Sequence, residues 1–324
     1  MTPLALRVLG LAALPGVGPT TVRRVAAQMG GWPAVADAAV EQVLLVVQAV
    51  AGRRAQTTPD HWTAAVRHAD LQIAAVRASG ADVLVVGDPA WPRHLERLER
   101  DAPLWLYVRG DPSVLSMPGI AIIGSREPTD YGLRCAERFG LRTAEAGLSV
   151  ISGLALGCDG AAHAGCLRGR GRGIAVLPGP IDRIIPSSHR DLADRLLAEG
   201  GCLVSEYAPD PTADIPAHQF VARDRIQTGL ALGVLLTESS LTGGSMHAVR
   251  AAQRNGIPVA CLYRDEAAWL AARVTEANRQ LLRPDAAGRV GATALATPGD
   301  LQAWLAQCRA RPPGSGTVLE SNGV

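Results

Sequence analysis

The chain has 324 residues, 48% of them apolar, with a formal net charge of +2. That is enough apolar material for one large domain plus a small one, and it leaves no global basic field to draw in a polyanion. All 32 basic residues are arginine, which excludes Schiff-base chemistry, a Walker-type phosphate lysine and a lysine general base. Arginine makes planar, bidentate contacts with phosphate and stacks on flat rings, although such a bias can equally reflect genome composition.

Residues 1 to about 75 have apolar positions at helical intervals, in PLALRVLGLAAL, GPTTVRRVAAQMGG and PAVADAAVEQVLLVVQAV, with breaks at Pro15-Gly16, Gly30-Gly31 and Gly52. The tight LPGVGP between the first two predicts a helix-hairpin-helix within a small all-helical, SAM-like domain, residues 1–75. Its glycines let backbone amides approach a phosphate, or simply make a packed turn. AVEQVLLVVQAV reads either as a packed amphipathic helix or as a partner surface.

From about residue 80, short β-type runs alternate with helix-compatible segments. The runs are ADVLVVG, LWLYVRG, GIAIIGS, LSVISG, GIAVLPG, CLVSEY, GVLLTE and IPVACLY. This alternation predicts an α/β domain over residues 76–308, an extended Rossmann-like, mostly parallel, doubly wound sheet. A last helix is expected over PGDLQAWLAQCRA, and a disordered tail over 309–324 with no room for a winged helix. No run of about 18 apolar residues or export-type leader occurs, so a cytoplasmic protein without membrane contact is expected. The six cysteines are scattered without a C-x-x-C pair, which argues for small core residues rather than a zinc site.

In open parallel sheets ligands sit beyond the carboxyl ends of the strands. Four candidate ends are rich in Gly, Ser, Thr or charge: Gly124-Ser125-Arg126, SGLALGCDGAAHAG (152–165), RDRIQTGLA (223–231) and TESSLTGGSMHA (237–248). Exposed amides gathered from such loops are anion receptors. A nicotinamide cofactor needs G-x-G-x-x-G, and Arg126 stands where the second glycine would be, so no cofactor is expected. His163 follows Asp159 by four residues and shares its helical face, which favours a structural hydrogen bond. No nucleophile elbow, H-E-x-x-H or paired-acid signature is present, so no catalytic residues and no metal site are expected.

In this order, IIGSREPTDYG, VISGLALGCDGAAHAG, IAVLPGPIDRIIPSSHRDL, GGCLVSEYAPD, FVARDRIQTGLA and LLTESSLTGGSMHAVRAA resemble the DprA/Smf family of DNA-processing proteins, over roughly residues 80 to 285. The resemblance implies an extended Rossmann fold that binds single-stranded DNA, dimerises through that fold and helps load a RecA-type recombinase during natural transformation, with no catalytic turnover. Carried over by position, it implies Gly124, Ser125 and Arg126 as the principal DNA turn. Ser152, Gly153, Gly157, Arg223, Arg225 and the loop Thr242, Gly243, Gly244, Ser245 then line a phosphate groove, and Arg190 is a basic contact.

Three positions depart from the family pattern. Asp224 stands where Asn is usual, His247 where an apolar residue is usual, and Ile185 where a tyrosine would offer a stacking platform. An alternative is a nucleotide-binding sensor or a phosphoribohydrolase-like enzyme on a related scaffold. The latter needs a PGGxGTxxE loop, and LTGGSMHAV has no Glu at that offset.

Overall fold

The computed structural model describes residues 3–210, 212 and 214–311. Five helices open the chain: α1 (Pro3–Ala13), α2 (Pro19–Met29), α3 (Trp32–Asp37), α4 (Val40–Ala51) and α5 (Pro59–Ala78). There follow β1 (Asp82–Val85), β2 (Trp105–Gly110), β3 (Gly119–Ile123), α6 (Asp130–Glu145), β4 (Ser149–Ser152), α7 (Cys158–Arg168) and β5 (Gly173–Val176). Next are α8 (Arg190–Ala198), β6 (Cys202–Ser205), α9 (Ala217–Leu230), β7 (Gly233–Leu236), α10 (Ser245–Arg254) and β8 (Val259–Leu262). The chain closes with α11 (Ala267–Ala271), α12 (Glu276–Leu282), β9 (Thr293–Leu295) and α13 (Pro298–Ala310).

The strands form one sheet in the order β1-β2-β6-β5-β4-β3-β7-β8-β9. From β6 to β9 all pairings are parallel. Every residue of β3 to β8 is buried, because helices cover both faces and neither side of these strands meets water. The chain winds outward from β3 through β4, β5 and β6, then returns to the other side of β3 with β7. The strand order therefore reverses between β3 and β7, where a doubly wound sheet opens a crevice.

The expected and observed elements differ in five places. ADVLVVG and LWLYVRG do not extend the parallel run: β1 pairs antiparallel with β2, and β2 antiparallel with β6, since the link between them holds only short 3-10 turns and no crossover helix. A ninth strand, β9, pairs with β8; its three residues are too few for a periodic signal. RDRIQTGLA, counted among the strand ends, is the second half of α9. The segment expected as one helix after Gly31 divides into α3 and α4. Helix continues through Ala310, past the expected start of the tail at 309, and residues 312–324 of that tail lie outside the described residues.

One continuous apolar core joins α1–α5 to β1, β2 and one face of the sheet, and a second lies on the opposite face around Ile120, Phe139, Val150, Leu235 and Trp304. All six cysteines are buried. Helix α4 turns Val43, Leu44 and Val47 inward. In LPGVGP the backbone of Gly16 presses against the Arg54 carbonyl, an approach that a Cβ would block. Gln56 N–H also donates to Pro15 O at 3.0 Å, so this turn is packed within the chain. Arg97 reaches across to the carbonyls of Thr228, Gly229 and Ala231, satisfying orphan groups at the end of α9. No helix among the described residues is long and apolar enough to cross a membrane.

Candidate functional site

At the β3/β7 reversal lies a cleft of about 650 Å³. One wall is the turn after β3, Gly124 to Glu127; the facing wall is the loop after β7 and the start of α10, including Ser239, Ser240, Gly243, Gly244, Ser245 and His247. Helix α9 supplies Phe220, Arg223, Asp224 and Gln227, and α7 supplies Asp159.

The β3 turn is held at both ends by one residue. Ser125 N–H donates to the main-chain oxygen of Glu238 at 2.7 Å. The Glu238 carboxylate accepts from Thr129 N–H at 2.8 Å, from Thr129 Oγ1 at 2.9 Å and from Trp269 Nε1 at 2.9 Å. This carboxylate is fully buried and needs those donors, because an unsatisfied charge in the interior is costly. Ser245 Oγ donates to Gly124 O at 2.8 Å and ties the two walls together. Between the anchored ends Arg126 is exposed. Its guanidinium carbon lies 5.2 Å from the centre of the Phe220 ring, within cation–π range, and it takes part in no ion pair among the described residues.

The floor is a compact ionic group. Arg223, 8% exposed, donates from Nε to Asp224 Oδ1 at 3.0 Å and from Nη1 to Val176 O at 3.0 Å. Its Nη2 lies 3.7 Å from Asp159 Oδ2, which also accepts from Gly153 N–H at 3.1 Å. One guanidinium thus stands between two carboxylates. Burial raises the Asp159 carboxyl, with Arg223 and the Gly153 amide opposing. Burial likewise pushes Asp224 up to about 7, with Arg223 pulling it down and Asp159 pushing it further up.

Of the positions expected to bind DNA, the fold gathers Gly124, Ser125, Arg126, Arg223, Gly243, Gly244 and Ser245 on the cleft. Ser152 is buried and donates to Ile122 O at 2.6 Å. Gly153 lies under Arg223, so closely that a Cβ would collide with the guanidinium, and Gly157 packs behind the Ser125-Arg126 backbone. Thr242 is exposed on the loop beyond the cleft lining. Arg190 begins α8, exposed and outside the lining. Arg225 projects elsewhere on α9, into an ion pair with Glu206. Ile185 does not line the cleft either, and the aromatic surface is Phe220 instead. Asp159 is bonded to Gly153 and Arg223, not to His163. Phe220, Gln227 and Glu238 were not singled out from sequence. Phe220 is one of only two phenylalanines in the chain and stands one helical turn before Arg223, a spacing that marks a shared face.

A family profile described as DNA recombination-mediator protein A matches residues 82–293. Protein Smf of Escherichia coli (strain K12) is 40% identical over 164 residues, covering 50% of this chain and 43% of that protein. DNA processing protein DprA of Bacillus subtilis (strain 168) is 32% identical over 175 residues, 54% of this chain and 58% of that protein. The chain thus spans about half the length of the curated relatives it matches. Among solved structures, DNA processing protein A from Streptococcus pneumoniae superposes with a TM-score of 0.71 at 21% identity, covering 94% of this chain and 98% of that one. DNA processing protein A from Helicobacter pylori gives 0.58 at 26% identity, covering 71% and 96%. With the profile matched from the start of β1 to the first residue of β9, the chain belongs to the DNA recombination-mediator protein A family, which includes the Smf and DprA proteins.

Proposed function

We propose that the chain binds single-stranded DNA across the cleft at the β3/β7 reversal and acts, without catalytic turnover, as a mediator that protects the strand and delivers it to a RecA-type recombinase, working as a homodimer. One observation supports this reading above the others: Arg126 stands exposed, in no ion pair among the described residues, against Phe220 at the cleft. A guanidinium on an aromatic platform suits both a phosphate and a stacked base. The amides of Gly244 and Ser245, at the start of α10, donate to no acceptor among the described residues, and both residues line the same cleft. The related Helicobacter pylori protein has a described single-stranded DNA binding mode.

The test is an anisotropy titration of a mixed-sequence single strand against the wild type and Arg126→Ala at two salt concentrations. Affinity falls as salt rises, with a log–log slope of about 0.7 per phosphate neutralised. Loss of a charge-assisted contact weakens Arg126→Ala by about tenfold or more. Absence of binding at low salt, or equal affinity of the two proteins, refutes the reading. Light scattering tests the dimer, and a pull-down on purified recombinase tests the partner.

A further inference from the structure

The floor of the cleft is the wrong chemistry for a phosphate. Asp159 and Asp224 share the single guanidinium of Arg223, which leaves one negative charge over when both carboxyls are ionised. A phosphate brought against it in a poorly solvated pocket meets repulsion that only added cations relieve. The cationic and amide donors lie instead at the rim, on Arg126, Gly244 and Ser245. A strand running along the rim therefore turns toward the floor whichever part of a nucleotide carries no charge and presents hydrogen-bond donors. A cleft of about 650 Å³ admits a nucleobase, being well within the usual range for small-molecule pockets.

The acceptors on the floor select among bases. Asp224 Oδ1 takes the Arg223 Nε proton at 3.0 Å and, with the Gln227 amide oriented to satisfy both its ends, a Gln227 N–H at 3.2 Å. Its Oδ2 accepts no hydrogen bond among the described residues, and Asp224 lines the cleft. An ionised carboxylate only accepts. Guanine presents two adjacent donors, N1–H and the N2 amino group, on its Watson–Crick edge. Adenine and cytosine place an acceptor beside their amino group, and thymine flanks its one N–H with two carbonyls that a carboxylate repels.

Resting on the single-strand reading above, we propose that Asp224 makes this cleft a guanine-preferring base pocket, a specificity that an amide at the same position does not supply. The charged groups acting on Asp224 are Arg223 on its own helix, Asp159 on α7 and Arg126 on the β3 turn, and Glu127 beside Arg126 and His247 on the facing wall also line the cleft. Because Asp224 titrates near 7 in this setting, the preference is full in its ionised form, above that pH. It fades below, where a protonated carboxyl both donates and accepts and so pairs equally well with adenine or cytosine.

The experiment compares anisotropy titrations of an oligothymidylate with the same strand carrying a few isolated guanines, spaced to prevent quadruplexes, at pH 8.5 and pH 6, for the wild type and Asp224→Asn. At pH 8.5 the wild type binds the guanine-bearing strand about fivefold more tightly, toward the low end of paired base contacts because N1–H and the N2 amino group converge on the one free oxygen, Oδ2, and at pH 6 the ratio shrinks. Asp224→Asn binds the two strands within about twofold of each other, a residue expected from single rather than paired contacts. Competition by dGMP but not dTMP against the wild type repeats the test without any variant. Equal affinity of the wild type for both strands at pH 8.5, or an undiminished preference in Asp224→Asn, overturns the inference while leaving single-strand binding intact. Failure of both strands to bind overturns the single-strand reading, and this inference with it.

Discussion

Arg225 and Glu206 form a two-pronged ion pair, Nη1 to Oε2 and Nη2 to Oε1, each at 2.7 Å. Arg225 Nε also donates to Asp101 O at 2.7 Å. The pair joins α9 to the strand end after β6 and to the segment that packs against α2, where Arg23 reaches the carbonyls of Ala102 and Pro103. Burial lowers the Arg225 pKa, but the Glu206 hydrogen bonds and charge, with Tyr207 and Asp101, raise it on balance, and Arg225 is engaged in fastening elements of the fold. Arg126, on the turn after β3, takes part in no ion pair among the described residues.

This contrast gives a first prediction. Arg225→Ala leaves a half-buried Glu206 carboxylate and the Asp101 carbonyl without their donor, and destabilises the protein by about 2 kcal/mol, less than a fully buried pair would lose. Thermal melts register that loss. DNA titrations of the same variant show the wild-type salt slope, whereas Arg126→Ala melts like the wild type and loses about one phosphate's share of the slope. If Arg225→Ala flattened the slope as Arg126→Ala does, the groove would extend along α9.

A second prediction concerns Gly153→Ala. The added methyl occupies the space of the Arg223 guanidinium, which cannot retreat without losing Asp159, Asp224 and Val176 O together. Overpacking and loss of this buried ionic group cost about 3 kcal/mol or more. Circular dichroism melts show a drop of several degrees, while Gly244→Ala, whose Cβ meets open space, melts within a degree or two of the wild type. A stable Gly153→Ala would mean that Arg223 is not held where it stands.

How far the sequence could reach is clear from particular residues. Strands β3 to β8 were legible because helices bury both their faces, so each reads as an unbroken apolar run between Gly or Ser breaks. The Gly124-Ser125-Arg126 turn and Gly243 to Ser245 could be expected on one cleft because several Gly- and Ser-rich segments were read at strand ends together, although any one of them alone reads as a plain turn. The roles of Arg223 and Arg225 were not. They are two residues apart on one helix and so point to different faces, one into the cleft floor and the other toward Glu206, which lies 19 positions earlier in the chain. Glu238 was hidden for a similar reason: its importance comes from Thr129 and Trp269, which are distant in sequence and adjacent only once β7, α6 and α11 meet.

Glu238 supplies a third prediction. Glu238→Ala strands the Thr129 amide, the Thr129 hydroxyl and the Trp269 indole N–H in the interior, each costing about 1–3 kcal/mol. The neutral Glu238→Gln faces those donors with an NH2 group and recovers only part of the loss. Melting temperatures therefore follow wild type, Gln, Ala in falling order. DNA affinity follows the same order at a temperature where all three are folded, because the turn bearing Arg126 loses its anchor at Thr129. Equal melting of Ala and wild type would remove Glu238 from this role.

The last prediction is the pH dependence of stability, in which two buried groups act in opposite senses. Asp224 titrates near 7 in the fold against an ordinary 3.8, so the folded protein holds that proton more tightly. Its contribution is full below about pH 3.8 and is lost as pH rises through 7. His163, fully buried on α7, is pushed down to about 3 from 6.5. Its contribution is full above 6.5 and is lost as pH falls toward 3. The wild type blends the two across pH 4 to 7, and single variants separate them. Asp224→Asn, which cannot ionise, gains melting temperature relative to the wild type as pH rises from 4.5 to 7.5, then runs parallel to it. His163→Gln, which cannot take up a proton, gains relative to the wild type as pH falls from 7 to 4.5. Melts by circular dichroism at five pH values resolve both slopes. A wild type and Asp224→Asn that track each other throughout would mean that Asp224 keeps its charge at acid pH, fully compensated by Arg223.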